Sequence, residues 1–193
     1  MRILIISDIH ANYPALKAVA DYFSEPFDLI LNGGDTLVYG PFPNETIDWL
    51  KENGAISILG NTDRHVITLL DGNTFRKPSK AEKRIMYGWT AAELNEQNGN
   101  WLRMQPLLRN LYLTPHLRQE SFPLSVGMFH GSPEDPDEFL FESTPDNRFQ
   151  ELAVNSPHAL ITIGHSHSPF HKILYNTHFI NPGSVGRMFD GNP

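Results

Sequence analysis

Five short polar clusters in this sequence contain residue types that bind divalent metal ions. The clusters are Asp8-Ile9-His10, Gly34-Asp35, Gly60-Asn61, Phe129-His130-Gly131 and Gly164-His165-Ser166-His167. Their side chains supply carboxylate, carboxamide oxygen and imidazole, which are ligands for hard and borderline metals. Two divalent cations about 3.5–4 Å apart can polarise a phosphoryl oxygen and generate a hydroxide between them. Together the clusters predict a dinuclear centre that hydrolyses phosphate esters.

The spacing within two clusters suggests how their side chains reach a metal. An extended chain has a side-chain period of two, so Asp8 and His10 are expected to point to the same side and reach one cation. The same argument predicts that His165 and His167 share a cation. Each cluster alone has an ordinary explanation, such as a turn, and the prediction depends on their occurrence together.

The clusters follow predicted strands. Apolar, β-branched runs predict buried strands at residues 3–6, 27–32, 55–59, 124–129 and 159–163. Helical spacing of apolar residues predicts helices at 14–23 and 44–50, between the first three strands. This β-α-β order is typical of α/β folds, which place functional residues beyond the carboxyl ends of their strands.

Two further segments have distinct patterns. Residues 71–113 are polar, with apolar residues at loosely helical intervals, and we predict a mainly helical cap over the site there. Residues 171–175 and 177–180 predict a hairpin that turns near Asn176.

Composition limits the classes of function. At 193 residues the chain predicts one domain, residues 1–193, with a substantial core. The net charge of −7, from 15 basic and 22 acidic residues, argues against a broad nucleic-acid surface. There is no cysteine, and no apolar run is long enough to span a bilayer. The start of the sequence runs directly into the first cluster without a signal-peptide pattern, so a cytoplasmic protein is expected.

The remaining histidines receive individual interpretations. His65 lies four residues after Asn61, at a predicted helix start, and could face the site. His116 and His158 lie in polar stretches near prolines and are predicted to be surface residues. His171 and His178 lie in the predicted hairpin, where either could point outward.

The motifs resemble those of the calcineurin-like metallophosphoesterases, and the resemblance covers almost the whole chain. It is strongest for the small bacterial and archaeal phosphodiesterase-like branch. The matching segments are Ser7-Asp8-Ile9-His10-Ala11-Asn12, Gly34-Asp35, Tyr39-Gly40-Pro41-Phe42-Pro43-Asn44-Glu45, Gly60-Asn61-Thr62-Asp63 and Asn181-Pro182-Gly183-Ser184-Val185-Gly186.

The resemblance implies a fold and a ligand set. The fold would be a two-sheet α/β sandwich flanked by helices. One metal would be held by Asp8, His10, Asp35 and His167. The other would be held by Asp35, Asn61, His130 and His165, with Asp35 bridging. Two divalent ions are expected, Mn foremost, with Fe, Zn or Ni as alternatives that this ligand set does not separate. The substrate phosphate would contact Asn12, and Ser184 and Arg187 are further predicted contacts.

One departure from the family concerns proton transfer. Many relatives have a histidine after the asparagine of the Gly-Asn motif, and it helps protonate the leaving group. Here that position is Thr62. A hydroxyl cannot act as a general acid near neutral pH as imidazole can. Either the substrate has a good leaving group, or Asp63, His65 or a metal-bound water serves instead, or catalysis is weak.

A second departure is that relatives with the Asn181–Gly186 motif usually continue into further strands. We therefore expect an open sheet edge that could pair in a homo-oligomer.

Three functions remain open. A metal-dependent phosphodiesterase acting on a small-molecule phosphate ester is favoured. A phosphomonoesterase is the first alternative. A non-catalytic scaffold is the second, because the same fold includes a protein-binding subunit.

Overall fold

The computed structural model describes residues 1–74, 80–114 and 123–189. Two β-sheets and their flanking helices make up this part of the chain. The strands are β1 (Ile3–Ile6), β2 (Leu29–Asn32), β3 (Ile56–Ser57), β4 (Leu108–Leu113), β5 (Leu124–Phe129), β6 (Leu160–Thr162), β7 (Phe170–Leu174) and β8 (Thr177–Asn181). The helices are α1 (Tyr13–Tyr22), α2 (Pro43–Glu52), α3 (Asn61–Leu70), α4 (Ala81–Glu93), α5 (Glu96–Arg103) and α6 (Asp146–Val154).

The first sheet is parallel, with the order β1-β2-β3. The second is mixed, with the order β4-β5-β6-β8-β7. Apolar residues of both sheets meet in one core cluster, in which Leu31 and Ile58 pack with Val126, Met128 and Leu160. The predicted two-sheet α/β sandwich is therefore confirmed.

Most predicted elements are present with shifted ends. The predicted strand at 55–59 shrinks to Ile56–Ser57. Its continuation leaves the sheet, since the Leu59 amide donates to the Pro106 carbonyl at 2.8 Å. This bend directs the next residues toward the carboxyl ends of the strands. The hairpin of β7 and β8 is confirmed, and both of its histidines, His171 and His178, are exposed.

The described part of the segment 71–113, residues 71–74 and 80–113, contains two helices and a strand. Helices α4 and α5 pack on α2 and α3, and apolar residues such as Tyr87, Leu94 and Leu102 bury this contact. The last six residues form β4, an edge strand antiparallel to β5, so the helical interpretation was wrong there. The reason is tertiary, because the alternating exposure of β4 is set by its pairing with β5. None of the helices in the described ranges combines the length and apolar character needed to span a bilayer.

The prediction that His158 lies on the surface was wrong. Its side chain is 5% exposed and packs over Gly127 of β5, beside the ring of Phe129. Gly127 has no side chain, which leaves the space that the imidazole fills. A prediction for His116 lies outside the described residues.

The packing of His158 predicts that Gly127→Ala destabilises the fold. A Cβ there would lie 2.5 Å from His158 Cδ2 and 2.6 Å from Phe129 Cε2. Overpacking of this kind costs about 1–3 kcal/mol in the free energy of unfolding, measurable by chemical denaturation. Gly88→Ala is the matched control, because nothing lies within 4 Å of its Cβ position on α4. We expect the control to gain about 0.5–1 kcal/mol. Equal effects in the two variants would contradict the packing argument.

Candidate metal centre

The predicted ligands converge where strands of both sheets end. Asp8 and His10 follow β1, Asp35 follows β2, and His130 follows β5. The Gly164–His167 motif follows β6, and its first amide donates to the His130 carbonyl at 2.8 Å. Asn61 begins α3 directly after the bend that follows β3. The structure thus brings all seven predicted ligands to one place: Asp8, His10, Asp35, Asn61, His130, His165 and His167.

The first group of ligand atoms comes from Asp8, His10, Asp35 and His167, all buried and within 4.8 Å of one another. His167 Nε2 lies 3.1 Å from both Asp8 Oδ1 and His10 Nε2. His10 Nε2 lies 3.9 Å from Asp35 Oδ2. These distances leave room for one cation among the four side chains.

The second group comes from Asp35, His130 and His165. The Asn61 amide oxygen faces the same three side chains, 3.2 Å from Asp35 Oδ2 and 3.3 Å from His130 Nε2. It also lies 3.0 Å from His165 Nδ1. Asp35 belongs to both groups, which is the position of a bridging ligand.

The hydrogen bonds of the imidazoles show that metal ions fit this site. Nδ1 of His10 and of His130 donate to the carbonyls of Leu37 and Gly33, at 3.3 and 2.9 Å. Nδ1 of His167 likewise pairs with a carbonyl, that of Arg187. In the neutral imidazoles the Nε2 lone pairs then face inward, toward one another and toward carboxylates. Facing acceptors of this kind are stabilised by a proton or a cation between them, so this donor set suits metal ions.

The two carboxylate oxygens of Asp8 likewise have different environments. Oδ2 accepts from Ser7 Oγ at 2.6 Å and from the His165 amide at 3.1 Å. Oδ1 is buried without a hydrogen bond and faces His167. A buried, unpaired carboxylate oxygen is costly, and a metal ion would compensate it.

The electrostatics follow from burial and close contact. Burial alone would raise the pKa of the Asp35 carboxyl, but His130, His10 and the Thr62 amide lower it below its usual range. Burial disfavours the His130 imidazolium, yet the Asp35 carboxylate raises the pKa of His130 to about 10. Burial lowers the pKa of His10. Metal binding therefore has to displace a proton held between Asp35 and His130.

The backbone at the ligands is left-handed, and this corrects the reasoning from an extended chain. Asp8 and His10 have φ of 53°, and His165 and His167 have φ of 64° and 54°. His165 and His167 also join different groups of ligands, as the family resemblance implied and contrary to the argument from a side-chain period of two. Non-glycine residues in this region cost energy and persist where the surroundings impose the conformation.

Gly34 is required for the position of Asp35. Its φ is +94°, and a Cβ there would lie 2.5 Å from the Gly60 amide nitrogen. The loops after β2 and β3 can therefore approach closely enough for the Thr62 amide to donate to Asp35 Oδ1 at 2.8 Å.

Thr62 and Asp63 are both buried beneath the ligands. The Thr62 hydroxyl donates to the Leu37 carbonyl at 3.1 Å, the same carbonyl that orients His10. The Asp63 carboxylate accepts from the amides of Thr36, Leu37 and Gly60, each at 3.1 Å. Burial and the neighbouring Asp35 raise the pKa of Asp63 to about 7. These three contacts tie the loops after β2 and β3 together at Asp63, whose side chain is fully buried.

His65 is placed at the edge of the centre. It is half-buried and lies one helical turn after Asn61 on α3, so both side chains lie on the same face of the helix. Its ring contacts that of Tyr87 with centroids 5.6 Å apart. With Asn61 and His165 it lines a surface cleft of about 570 Å³.

The three side chains predicted to contact substrate, those of Asn12, Ser184 and Arg187, interact with other groups of the protein. Asn12 caps α1, its Oδ1 accepting from the Ala15 amide at 3.2 Å. The Ser184 hydroxyl donates to the Asp8 carbonyl at 2.7 Å and accepts from the Arg187 amide at 2.8 Å. The Arg187 guanidinium lies over the Tyr39 ring, 4.1 Å from its centroid.

Sequence reasoning missed two aromatic residues at the centre. Phe139 packs on the ring of His165, with centroids 3.9 Å apart. Phe189 stacks on His167 at 4.7 Å with parallel planes. Neither residue belongs to a metal-ligand motif, so the sequence carries no local signal for these contacts.

Comparison with known proteins agrees with this geometry. The sequence model of the calcineurin-like phosphoesterase superfamily domain matches residues 1–193. The chain belongs to this superfamily. The resemblance inferred from the motifs is therefore confirmed.

Individual members of the superfamily are similar over different lengths. An uncharacterized protein of Methanocaldococcus jannaschii is 30% identical, covering 98% of this chain and 78% of that protein. The crystal structure of a metallophosphoesterase from Sphaerobacter thermophilus aligns with a TM-score of 0.76 at 27% identity, covering 100% of this chain and 80% of that one.

A third relative carries a specific enzyme name. The symmetrical bis(5'-nucleosyl)-tetraphosphatase of Klebsiella pneumoniae is 32% identical over 56% of this chain. The match spans only 39% of that enzyme's length.

Proposed function

We propose that this phosphoesterase is a phosphodiesterase that uses a dinuclear metal centre to activate water for attack on phosphorus. The observation that supports it is the pair of buried acceptor groups that share Asp35. Two bound divalent cations would supply Lewis acidity to the phosphoryl oxygen and a hydroxide at neutral pH.

The residues divide into two ligand sets in this proposal. Asp8, His10 and His167 would hold one cation, Asn61, His130 and His165 would hold the other, and Asp35 would serve both. The backbone carbonyls behind the imidazoles fix their tautomers and orientation. Manganese is our expectation, with iron, zinc or nickel as alternatives, because imidazole and carboxylate ligands suit several of these metals.

We further propose that His65 donates a proton to the leaving group. Thr62 and Asp63 are buried and hydrogen-bonded to backbone groups, whereas His65 lines the cleft beside Asn61. A substrate with a stable leaving group depends least on such an acid. Asn12, Ser184 and Arg187 then act mainly by holding the loops near Asp8.

The substrate is expected to be a small phosphate ester. A nucleoside polyphosphate belongs in the substrate panel because of the tetraphosphatase relative. A cytoplasmic location, homo-oligomers through a sheet edge, and a capping role for α4 and α5 stay predictions from the sequence.

The test is hydrolysis of bis(p-nitrophenyl) phosphate, a diester, beside the monoester p-nitrophenyl phosphate. We expect turnover with added Mn²⁺, its loss on chelation with EDTA, and its return when Mn²⁺ is restored in excess. The diester should be the faster substrate. A clear monoester preference would overturn the assignment to phosphodiesterases. Two bound metals without hydrolysis of either ester would favour the scaffold function instead.

A further inference from the structure

An exposed phenylalanine lies directly against a ligand of the proposed metal centre. The Phe139 ring packs on His165 with centroids 3.9 Å apart and planes tilted by 30°. The residue is 56% exposed, although it is large and apolar. The ring of Phe141, 40% exposed, lies parallel to it at 6.4 Å. Apolar surface left open beside a reaction centre is typical of a binding site.

Ion pairs on both sides of the cleft hold Phe139 in place. Asp137 pairs with Arg64 of α3. Glu138 pairs with Arg148 of α6 through two contacts of 2.8 Å. Since consecutive residues of this loop are tied to different helices, the Phe139 ring is preorganised. A preorganised ring loses little conformational entropy when a ligand stacks on it.

The cleft has the chemistry of a site for a neutral planar group. Its volume of about 570 Å³ exceeds what a single water or ion needs. Arg64 and Asp137 line it and neutralise each other. The polar side chains of His65 and Thr68 lie in the same lining and can form hydrogen bonds to heteroatoms. At its inner end the cleft reaches Asn61 and His165, where the phosphate of a substrate would be held.

We propose that Phe139 is the stacking platform for an aromatic group of the phosphodiester substrate, of the nucleobase class. The phosphate lies at the ligands while the base occupies the cleft over the phenylalanine ring. This inference rests on the proposed function, because it places the phosphate at that centre. Stacking of a base on an aromatic side chain strengthens binding about 5- to 150-fold.

A simpler role for Phe139 would be to support the ring of His165. A second phenylalanine provides a control for that role. Phe189 stacks on the other histidine of the motif, His167, with centroids 4.7 Å apart and planes 7° apart. It is 65% exposed, and it is not among the described residues that line the cleft. Removing either ring disturbs a ligand histidine, but only Phe139 can touch a group in the cleft.

The experiment is calorimetric titration of the Mn²⁺-loaded protein with adenosine 5'-monophosphate and with ribose 5-phosphate, which lacks the base. In the wild type we expect the nucleotide to bind at least about fivefold more tightly than the sugar phosphate. Phe139→Ala should abolish this preference, so that both ligands bind with about equal affinity, while the affinity for ribose 5-phosphate stays unchanged. Phe189→Ala should keep the preference, and Phe139→Trp should keep or increase it.

Two results would contradict the proposed stacking role of Phe139. One is equal affinity of the wild type for the two ligands, or binding of neither. The other is an equal loss of preference in the Phe139→Ala and Phe189→Ala variants, which would assign the effect to the ligand histidines. The titration needs no turnover, so a protein that prefers the nucleotide without hydrolysing diesters would contradict only the proposed activity.

Discussion

Replacing Asp35 with asparagine is expected to reduce phosphodiesterase activity by more than about 100-fold. Even mutation of residues that only orient metal ligands typically costs 10–100-fold in metal affinity or activity, and Asp35 contacts both proposed sites. Asparagine has the same shape and keeps an oxygen for the Thr62 amide, so the fold should persist. What the variant removes is the negative charge shared by the two cations.

The measurement is metal stoichiometry by elemental analysis together with diester hydrolysis. Asp146→Asn is the matched control, since this aspartate lies on α6 with its side chain 66% exposed. His167→Ala gives an independent check, because it removes a ligand of the first group and leaves the second group complete. We expect it to retain about one metal. Two tightly bound metals and full activity in Asp35→Asn would disprove the bridging role.

Replacing His65 with alanine is expected to slow diester hydrolysis in a way that depends on the leaving group. For an alcohol leaving group, such as a nucleoside hydroxyl, the loss should be about 10²–10⁴-fold, the usual contribution of general acid catalysis. For p-nitrophenolate, which leaves without protonation, the rate should change by no more than a few fold. The measurement is kcat for a pair of diesters that differ only in the leaving group.

This dependence separates proton donation from a structural role for His65. A variant that damaged the metal centre would slow both diesters equally, and such a result would refute the assignment. His171→Ala is the control, because that histidine is exposed on the hairpin of β7 and β8. It should leave the rates for both diesters unchanged.

The sequence was sufficient to identify the ligands, because their signals are local. Apolar runs of β-branched residues predict strands, and the polar residues that follow them lie beyond the strand ends. Asp8, Asp35, Asn61 and His130 were all recognised in this way. The hairpin and the helices after the first two strands follow from equally local patterns, and the structure shows them with ends shifted by a few residues.

The residues' local spacing did not predict how the ligands divide between two groups; the family resemblance implied this division, and the tertiary structure has the same grouping. His165 and His167 are separated by one residue and have a left-handed backbone, yet they join different groups. Their partners are distant in sequence, since the His165 amide reaches the Asp8 carboxylate across 157 positions. A local period of two cannot encode contacts of that range.

The burial of individual side chains was likewise decided by packing between secondary-structure elements. His158 is buried only because Gly127 of the neighbouring strand leaves space for it. Residues 108–113 form a strand because β5 lies beside them. Phe139 reaches His165 because Arg64 and Arg148, on two separate helices, hold its loop. The sequence by itself thus determined which groups can bind metal, whereas the tertiary structure determined where they point, because orientation depends on contacts that only the complete fold creates.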